Sequence, residues 1–170
     1  MKLRYALVIA AISALTACSG GSKATPTTVT VECSVAADAV CVGANLAGKD
    51  MSGLNLTGID LRNANLDGAI FTDTNLTQAN LVGASLAGAN LVGSTLVRAN
   101  FSQANLEKAD FTRALLSGAI LKLARIESTV FNAAFLTDAN FAGAMGSTDI
   151  SQGHLCKTVL PDAKIGAPSC

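Results

Sequence analysis

A five-residue repeat runs without insertion through the middle of the chain and restricts the possible folds. From Ala44 to Gly143 the sequence divides into twenty units, beginning ANLAG, KDMSG, LNLTG and ending TVFNA, AFLTD, ANFAG. The third position is apolar in all twenty units (thirteen Leu, five Phe, Met51 and Ile126), and the first position is Ala in fourteen. Neither a helix, with about 3.6 residues per turn, nor a strand, with a period of about two, produces strict fives. A square coil with one large and one small inward residue on each side accounts for the pattern.

This pattern resembles the pentapeptide repeat family, whose units read Ala, then Asp or Asn, then Leu or Phe, then two variable residues. The resemblance implies an all-β fold, a right-handed quadrilateral parallel β-helix with four units in each coil. Twenty units make about five coils, and a spacing of about 4.8 Å gives a rod about 24 Å long. Residues twenty apart would then stack, which places every central Phe in one of two opposite columns. The two columns are Met51, Phe71, Leu91, Phe111, Phe131 and Leu61, Leu81, Phe101, Leu121, Phe141.

The first and second positions of the units carry two further expectations. Asn and Asp dominate the second position, where their side chains can hydrogen-bond the nearby backbone at a tight corner. Lys49 is the one charged residue at a first position, and Leu54 and Ile59 follow it in the next two units. We expect these three residues to form an irregular mouth at the N-terminal end of the rod.

The beginning of the chain has the parts of a bacterial export signal. Lys2 and Arg4 form a positive start, and residues 5–14 are an apolar segment too short to span a bilayer. The segment ends in Leu15-Thr-Ala-Cys18, which resembles the lipobox of bacterial lipoproteins, where the peptidase cuts before the Cys and the Cys is acylated. The resemblance predicts a lipoprotein signal peptide at residues 1–17 and lipidation at Cys18.

The segment after the signal fits a tether on a membrane surface. Residues 18–31 hold the lipidated Cys18 and a polar stretch of Gly, Ser, Thr and Pro, which is typical of a flexible linker. Anchoring by two or more acyl chains is stable. We therefore expect the protein in the bacterial cell envelope, facing the extracytoplasmic side, with membrane contact through its N-terminal lipid.

Four cysteines are left once Cys18 is assigned to the lipid, and an even count in an exported chain suggests two disulfides. The repeat register places Cys41 inward at the N-terminal end of the expected rod, whereas Cys156 and Cys170 follow its other end. Disulfide Cα atoms lie within about 7 Å of each other, which excludes a bond along the whole rod. We predict the disulfides Cys33–Cys41 and Cys156–Cys170.

These disulfides complete the expected domain organisation. The predicted parts are an N-terminal cap at residues 32–43, the twenty-unit β-helix at 44–143, and a C-terminal cap or tail at 144–170. The tail sequence from Leu155 resembles a Cys…Pro-Asp-Gly…Cys ending of exported relatives, with Ala163 in place of the Gly.

No catalytic, cofactor or metal site is predicted. His154 is the single His of the chain, and we expect it to be solvated or to have a packing role. The sequence contains no dinucleotide, P-loop or zinc-protease motif. The cysteines are better explained by one lipid site and two disulfides than by zinc. The chain is therefore not expected to be an enzyme.

Charge argues against nucleic acid as a partner. Lys plus Arg and Asp plus Glu number 12 each, so the formal net charge is zero. Some intracellular members of the family that this chain resembles mimic duplex DNA and protect type II topoisomerases, which requires a sustained acidic surface. Residues 44–143 hold eight acidic and seven basic residues. This DNA-mimicking role is the alternative function, and the export signal and neutral charge disfavour it.

Five apolar residues interrupt the outward polar pattern in the last coils. They are Leu115, Ile120, Leu123, Val130 and Phe135. Leu115 and Phe135 lie twenty apart and should stack, and such a patch can mark a protein contact. Two interpretations stay open: residues 144–170 fold back over the patch, or a partner or second copy binds it. The predicted function is a membrane-anchored, non-enzymatic scaffold or protein-binding module of the cell envelope.

Overall fold

Residues 33–162 are described by a computed structural model, and their backbone forms neither a helix nor a strand longer than one residue. Single residues instead pair in parallel β-bridges, one in each unit, from Val40↔Asp60 to Arg125↔Met145. The partners in this series are twenty residues apart, and each unit ends in a turn at its fourth and fifth positions. The predicted coil of four five-residue sides is therefore confirmed. The predicted signal peptide, Cys18, the tether and Cys170 lie outside the described residues.

Backbone hydrogen bonds within one unit show how successive coils are held together. Leu46 N–H donates to the carbonyl of Asn65 in the next coil (2.7 Å), and Asn65 N–H donates back to Ala44 (2.9 Å). Gly48 N–H, at the fifth position, also donates to the next coil (2.8 Å). Lys49 N–H donates to the Leu46 carbonyl and closes the turn (3.1 Å). This pattern leaves the N–H of the fourth position without a backbone acceptor throughout residues 33–162.

Side chains at the second position accept this remaining N–H. Asn90 Oδ1 accepts the N–H of Val92 at 3.0 Å, and Asp110 Oδ1 accepts that of Thr112 at 2.8 Å. Because buried or turn N–H groups need a partner, this short side-chain acceptor two residues earlier stabilises the corners that have Asn or Asp at the second position. This confirms the expected role of Asn and Asp.

The core is narrow enough for side chains of opposite columns to meet. Phe111 and Phe131, one coil apart in the same column, stack with centroids 5.2 Å apart and planes 12° apart. Phe101 meets Phe111 edge to face at 5.8 Å, and Phe141 meets Phe131 in the same way at 5.5 Å. Rings thus stack within a column and cross at right angles between columns. Among residues 33–162 no helix is long and apolar enough to span a membrane.

The N-terminal end is closed by a disulfide between Cys33 and Cys41, with Cα atoms 5.2 Å apart. Cys41 is buried, as the repeat register predicts. Lys49 and Leu54 are exposed, whereas Ile59 is fully buried, so the irregular mouth is limited to the first two of these three residues.

The coiled conformation continues past Gly143 into the predicted tail. Three further units, TDISQ, GHLCK and TVLPD, occupy residues 148–162, and the ladder extends through Phe135↔His154 and Asn140↔Val159. The bridge spacing here falls to nineteen because the unit at residues 144–147 has four residues instead of five. The three units have the usual apolar third position, but the missing residue places them out of register with the twenty units before them.

The missing residue disturbs one side of the last coil. Val130 bridges back to Asp110, but within the described chain it forms no bridge to the coil that follows, and the Thr148 hydroxyl donates to the Thr129 carbonyl in place of that bridge. Phe131 N–H, which would donate to the next coil in a regular unit, makes no hydrogen bond within residues 33–162. A cleft of about 400 Å³ opens at this level. Cys156, further along, takes part in a disulfide, and its predicted partner Cys170 lies outside the described residues.

Candidate functional site

The apolar residues at second positions remove the corner hydrogen bond that Asn and Asp make at this position. Where Leu115 and Phe135 replace Asn or Asp, no side chain accepts the N–H of the residue two places later. Within residues 33–162, the N–H groups of Ser117 and Thr137 therefore make no hydrogen bond with the protein. Each lost bond forgoes about 0.5–1.5 kcal/mol. Each apolar residue therefore lowers the stability of its corner, and burial of its own side chain is the interaction that can offset this loss.

Burial separates the predicted patch residues into two groups. Ile120 and Val130 are half-buried against neighbouring coils, so part of the lost hydrogen bond is offset within the molecule. Leu115 and Phe135 are exposed, at 38% and 44% of their full surface. Leu115 and Phe135 therefore remove the corner hydrogen bond and still leave a large part of their side chains exposed.

These two exposed residues lie in one line with a third. The bridges Leu115↔Phe135 and Phe135↔His154 stack the three residues on successive coils of one side. The His154 ring packs on the Phe135 ring, with centroids 4.6 Å apart and planes 21° apart. We call Leu115, Phe135 and His154 the apolar column. His154 is exposed and has the packing role that the sequence allowed, but the sequence alone did not connect it with Phe135.

The other predicted patch residues lie on other parts of the rod. Ile120 belongs to the ladder of the next side, between Asn100 and Asn140, and Val130 belongs to the preceding side. Leu123 is at the fifth position of a corner and is 51% exposed. Its φ of 57° lies in the left-handed region, which is unfavourable for a branched side chain. The five residues therefore do not form one patch.

Part of the predicted tail can be traced relative to the column. Residues 144–162 add a coil to the end of the rod and do not fold back along its side. They contact Phe135 through His154 and leave Leu115 and Phe135 exposed. Residues 163–170 lie outside the described residues.

Charges on the rod are balanced, and some are paired locally. Within the described part of the chain the ion pairs are Arg62–Asp60, at 2.7 Å, and Arg125–Glu107. The hydrogen bond from Arg62 lowers the pKa of Asp60, and Ser52 lowers that of Asp50 in the same way. No group of three or more His, Cys, Asp or Glu residues that could hold a metal occurs among residues 33–162.

Known proteins similar to this chain share its repeat. The family model "Pentapeptide repeats" matches residues 39–78 and 79–118. A pentapeptide repeat protein from the Arabidopsis thaliana thylakoid lumen is 34% identical, over 58% of this chain and 69% of that chain, with a TM-score of 0.57. A pentapeptide repeat protein from Nostoc PCC 7120 is 38% identical, over 49% of this chain and 66% of that chain, with a TM-score of 0.46.

A further structure similar to this chain is HetL from Nostoc sp. strain PCC 7120, a pentapeptide repeat protein involved in heterocyst differentiation regulation. It is 26% identical over 75% of this chain and 76% of that chain, with a TM-score of 0.44. No curated protein matches the sequence. The twenty-residue coil, the family model and the Arabidopsis relative agree: the chain belongs to the pentapeptide repeat proteins, which fold as right-handed quadrilateral β-helices.

Proposed function

We propose that this protein is a lipid-anchored, non-enzymatic protein-binding module of the bacterial cell envelope. The observation that carries the proposal is the apolar column, where Leu115 and Phe135 are exposed although each removes a corner hydrogen bond. A single exposed apolar residue needs no explanation, but two on successive coils beside a stacked His ring form a continuous surface.

Protein binding accounts for the column better than folding does. At a second position, Asn would supply the missing hydrogen bond and would remove the exposed apolar surface of Leu115 and Phe135. Aromatic residues concentrate at the centres of protein interfaces, where burial contributes most to affinity. The energetic compensation for Leu115 and Phe135 therefore comes from a partner.

The proposed location rests on the leader sequence. Residues 1–17 have the charge and length of an export signal and end at Cys18 in a lipobox-like sequence. The polar tether at residues 18–31 would hold the rod beside the membrane with its sides free to bind.

The DNA-mimicking alternative lacks a supporting observation. Residues 44–143 carry eight acidic and seven basic residues, and Asp60 and Glu107 are paired with Arg62 and Arg125. The acidic side chains therefore do not produce the sustained negative surface that imitation of duplex DNA requires.

Crosslinking in intact cells followed by affinity purification tests the proposal. The wild-type protein should fractionate with membranes, incorporate labelled palmitate and enrich a defined protein. Cys18→Ala should lose the label and the membrane fraction. Palmitate labelling that survives Cys18→Ala would contradict the anchor.

Phe135→Asn tests the column while it restores the corner hydrogen bond. The Asn acceptor for Thr137 N–H compensates for the lost packing of Phe135 on His154, so the circular dichroism spectrum should be preserved while partner recovery falls at least about tenfold. Asn105→Asp, on the opposite side of the rod in the coil that contains Leu115, keeps the corner acceptor for Glu107 N–H and is the matched control, which should leave recovery unchanged. Equal recovery with Phe135→Asn would refute the binding role of the column.

A further inference from the structure

We infer that the apolar column binds a second copy of this chain, packed parallel and side by side about a two-fold axis that runs along the column. The inference rests on the proposed role of the column as an interaction surface. It adds the identity of the partner and the relative orientation of the two rods.

The shape of the column suits this symmetry. In an isologous dimer the same surface of each subunit meets itself. A two-fold axis parallel to the rods keeps every coil at its own height, so Leu115 meets Leu115 and Phe135 meets Phe135 of the partner. Both exposed side chains are then buried at the centre of the interface, where aromatic residues contribute most.

Charges at the two corners beside the column support the pairing. The corner before this side carries Asp73 and Arg113 at fifth positions, and the corner after it carries Arg98 and Asp138. These four residues do not take part in the two ion pairs found within residues 33–162. The parallel two-fold operation brings the first corner of one copy against the second corner of the other.

Along the resulting seam the order of charges is Asp73, Arg98, Arg113, Asp138, drawn alternately from the two copies, and Lys157 follows Asp138 on the same copy. Neighbours in this order lie about one coil, or 4.8 Å, apart along the axis. The Asp73 carboxylate lies against Gly93 in the next coil, which is the coil that contains Arg98. Each arginine therefore has a carboxylate on its outer side, and the seam occurs twice in the dimer.

Antiparallel packing gives a poorer match. An antiparallel axis through Leu115 sets Arg98 against Asp138 of the other copy, but it also sets Arg113 against Arg113 at the same level. In that packing Phe135 faces Thr95, so the exposed ring does not meet an apolar partner. An antiparallel axis midway between Leu115 and Phe135 sets Arg98 against Lys157. Parallel packing has no like charges at the same level of the seam, and it places both N-termini, with their proposed membrane tethers, at the same end.

The test measures the dimer dissociation constant of the full chain, purified in mild detergent from whichever cell fraction holds it, by sedimentation velocity. We expect a dimer for the wild type. Phe135→Asn should raise the dissociation constant at least about tenfold. Asp73→Arg, which creates three consecutive arginines in the seam, should also raise it. Gln103→Arg, at a fifth position of the diagonally opposite corner, is the control and should have no effect.

The charge swap determines the orientation. Adding Arg98→Asp to Asp73→Arg produces alternating charges along the seam and should restore dimerisation to wild-type strength or beyond. A wild type that stays monomeric, or a swap that fails to restore the dimer, overturns the inference. If the protein is monomeric while Phe135→Asn still loses a crosslinked partner in cells, the dimer is wrong and the proposed binding function stands.

Discussion

The stacked pair Phe111–Phe131 allows a quantitative test of how neighbouring coils are coupled. Both rings are fully buried, and their 5.2 Å separation with near-parallel planes is within the favourable range for aromatic pairs. Such a pair contributes about 0.5–1.5 kcal/mol beyond the burial of its surface. Replacing either Phe by Leu keeps an apolar residue that thirteen units already use at this position.

Each single substitution, Phe111→Leu or Phe131→Leu, should lower the free energy of unfolding by about 1–2 kcal/mol. The double variant should lose about 0.5–1.5 kcal/mol less than the sum of the two, because the ring pair can be lost only once. Equilibrium urea unfolding, followed by circular dichroism, gives the three values.

Phe71 supplies the matched control. It lies in the same column as Phe131 but three coils away, about 14 Å along the rod, so Phe71→Leu and Phe131→Leu should be additive within about 0.5 kcal/mol. A coupling of Phe111 with Phe131 no larger than this control value would show that the rings pack independently and would refute the reasoning.

Three other changes have outcomes set by the backbone and its hydrogen bonds. Leu123→Gly should raise the free energy of unfolding by about 0.5–1 kcal/mol, because Gly adopts the left-handed φ without steric cost; a destabilised protein would contradict this. Ser52→Ala should raise the pKa of Asp50 toward its ordinary value of 3.8, as measured by NMR titration of the carboxylate, and an unchanged pKa would be the contrary result. Because the folded-state pKa of Asp50 is lowered, its contribution to stability is present above about pH 3.8 and is lost as the pH falls through that pKa, so Ser52→Ala should weaken this acid dependence. Inserting one Gly after Ser147 should restore the five-residue unit and slow hydrogen exchange of Phe131 N–H; exchange as fast as in the wild type would show that the missing residue does not cause the break.

The coil could be predicted from the sequence because each unit has the same residue types at the same positions. The distribution of Phe over two columns predicted which rings stack, and the preference for Asn and Asp predicted the corner hydrogen bonds. Both follow from positions within a unit, so they can be read without knowing which coil contains them.

The end of the rod and the candidate site depend on information that no single unit contains. A missing residue after Ser147 shifts the register of everything that follows, so the last three units did not fit a strict five-residue search. The repeat pattern also predicted five outward apolar residues, but it did not predict which of them are half-buried and which are exposed. That separation depends on side chains of neighbouring coils, as the stacking of His154 on Phe135 shows.

The ladder of bridges between residues twenty apart has a consequence for how such a chain can change in length. Each coil bonds only to the coil before it and the coil after it, so adding or removing twenty residues inside the rod keeps every remaining contact type intact. A change of one residue inside the rod would instead displace every later side chain relative to the coil beneath it. The rod can therefore grow or shrink in whole coils, and an irregular unit such as residues 144–147 is tolerated near an end, where few coils follow it.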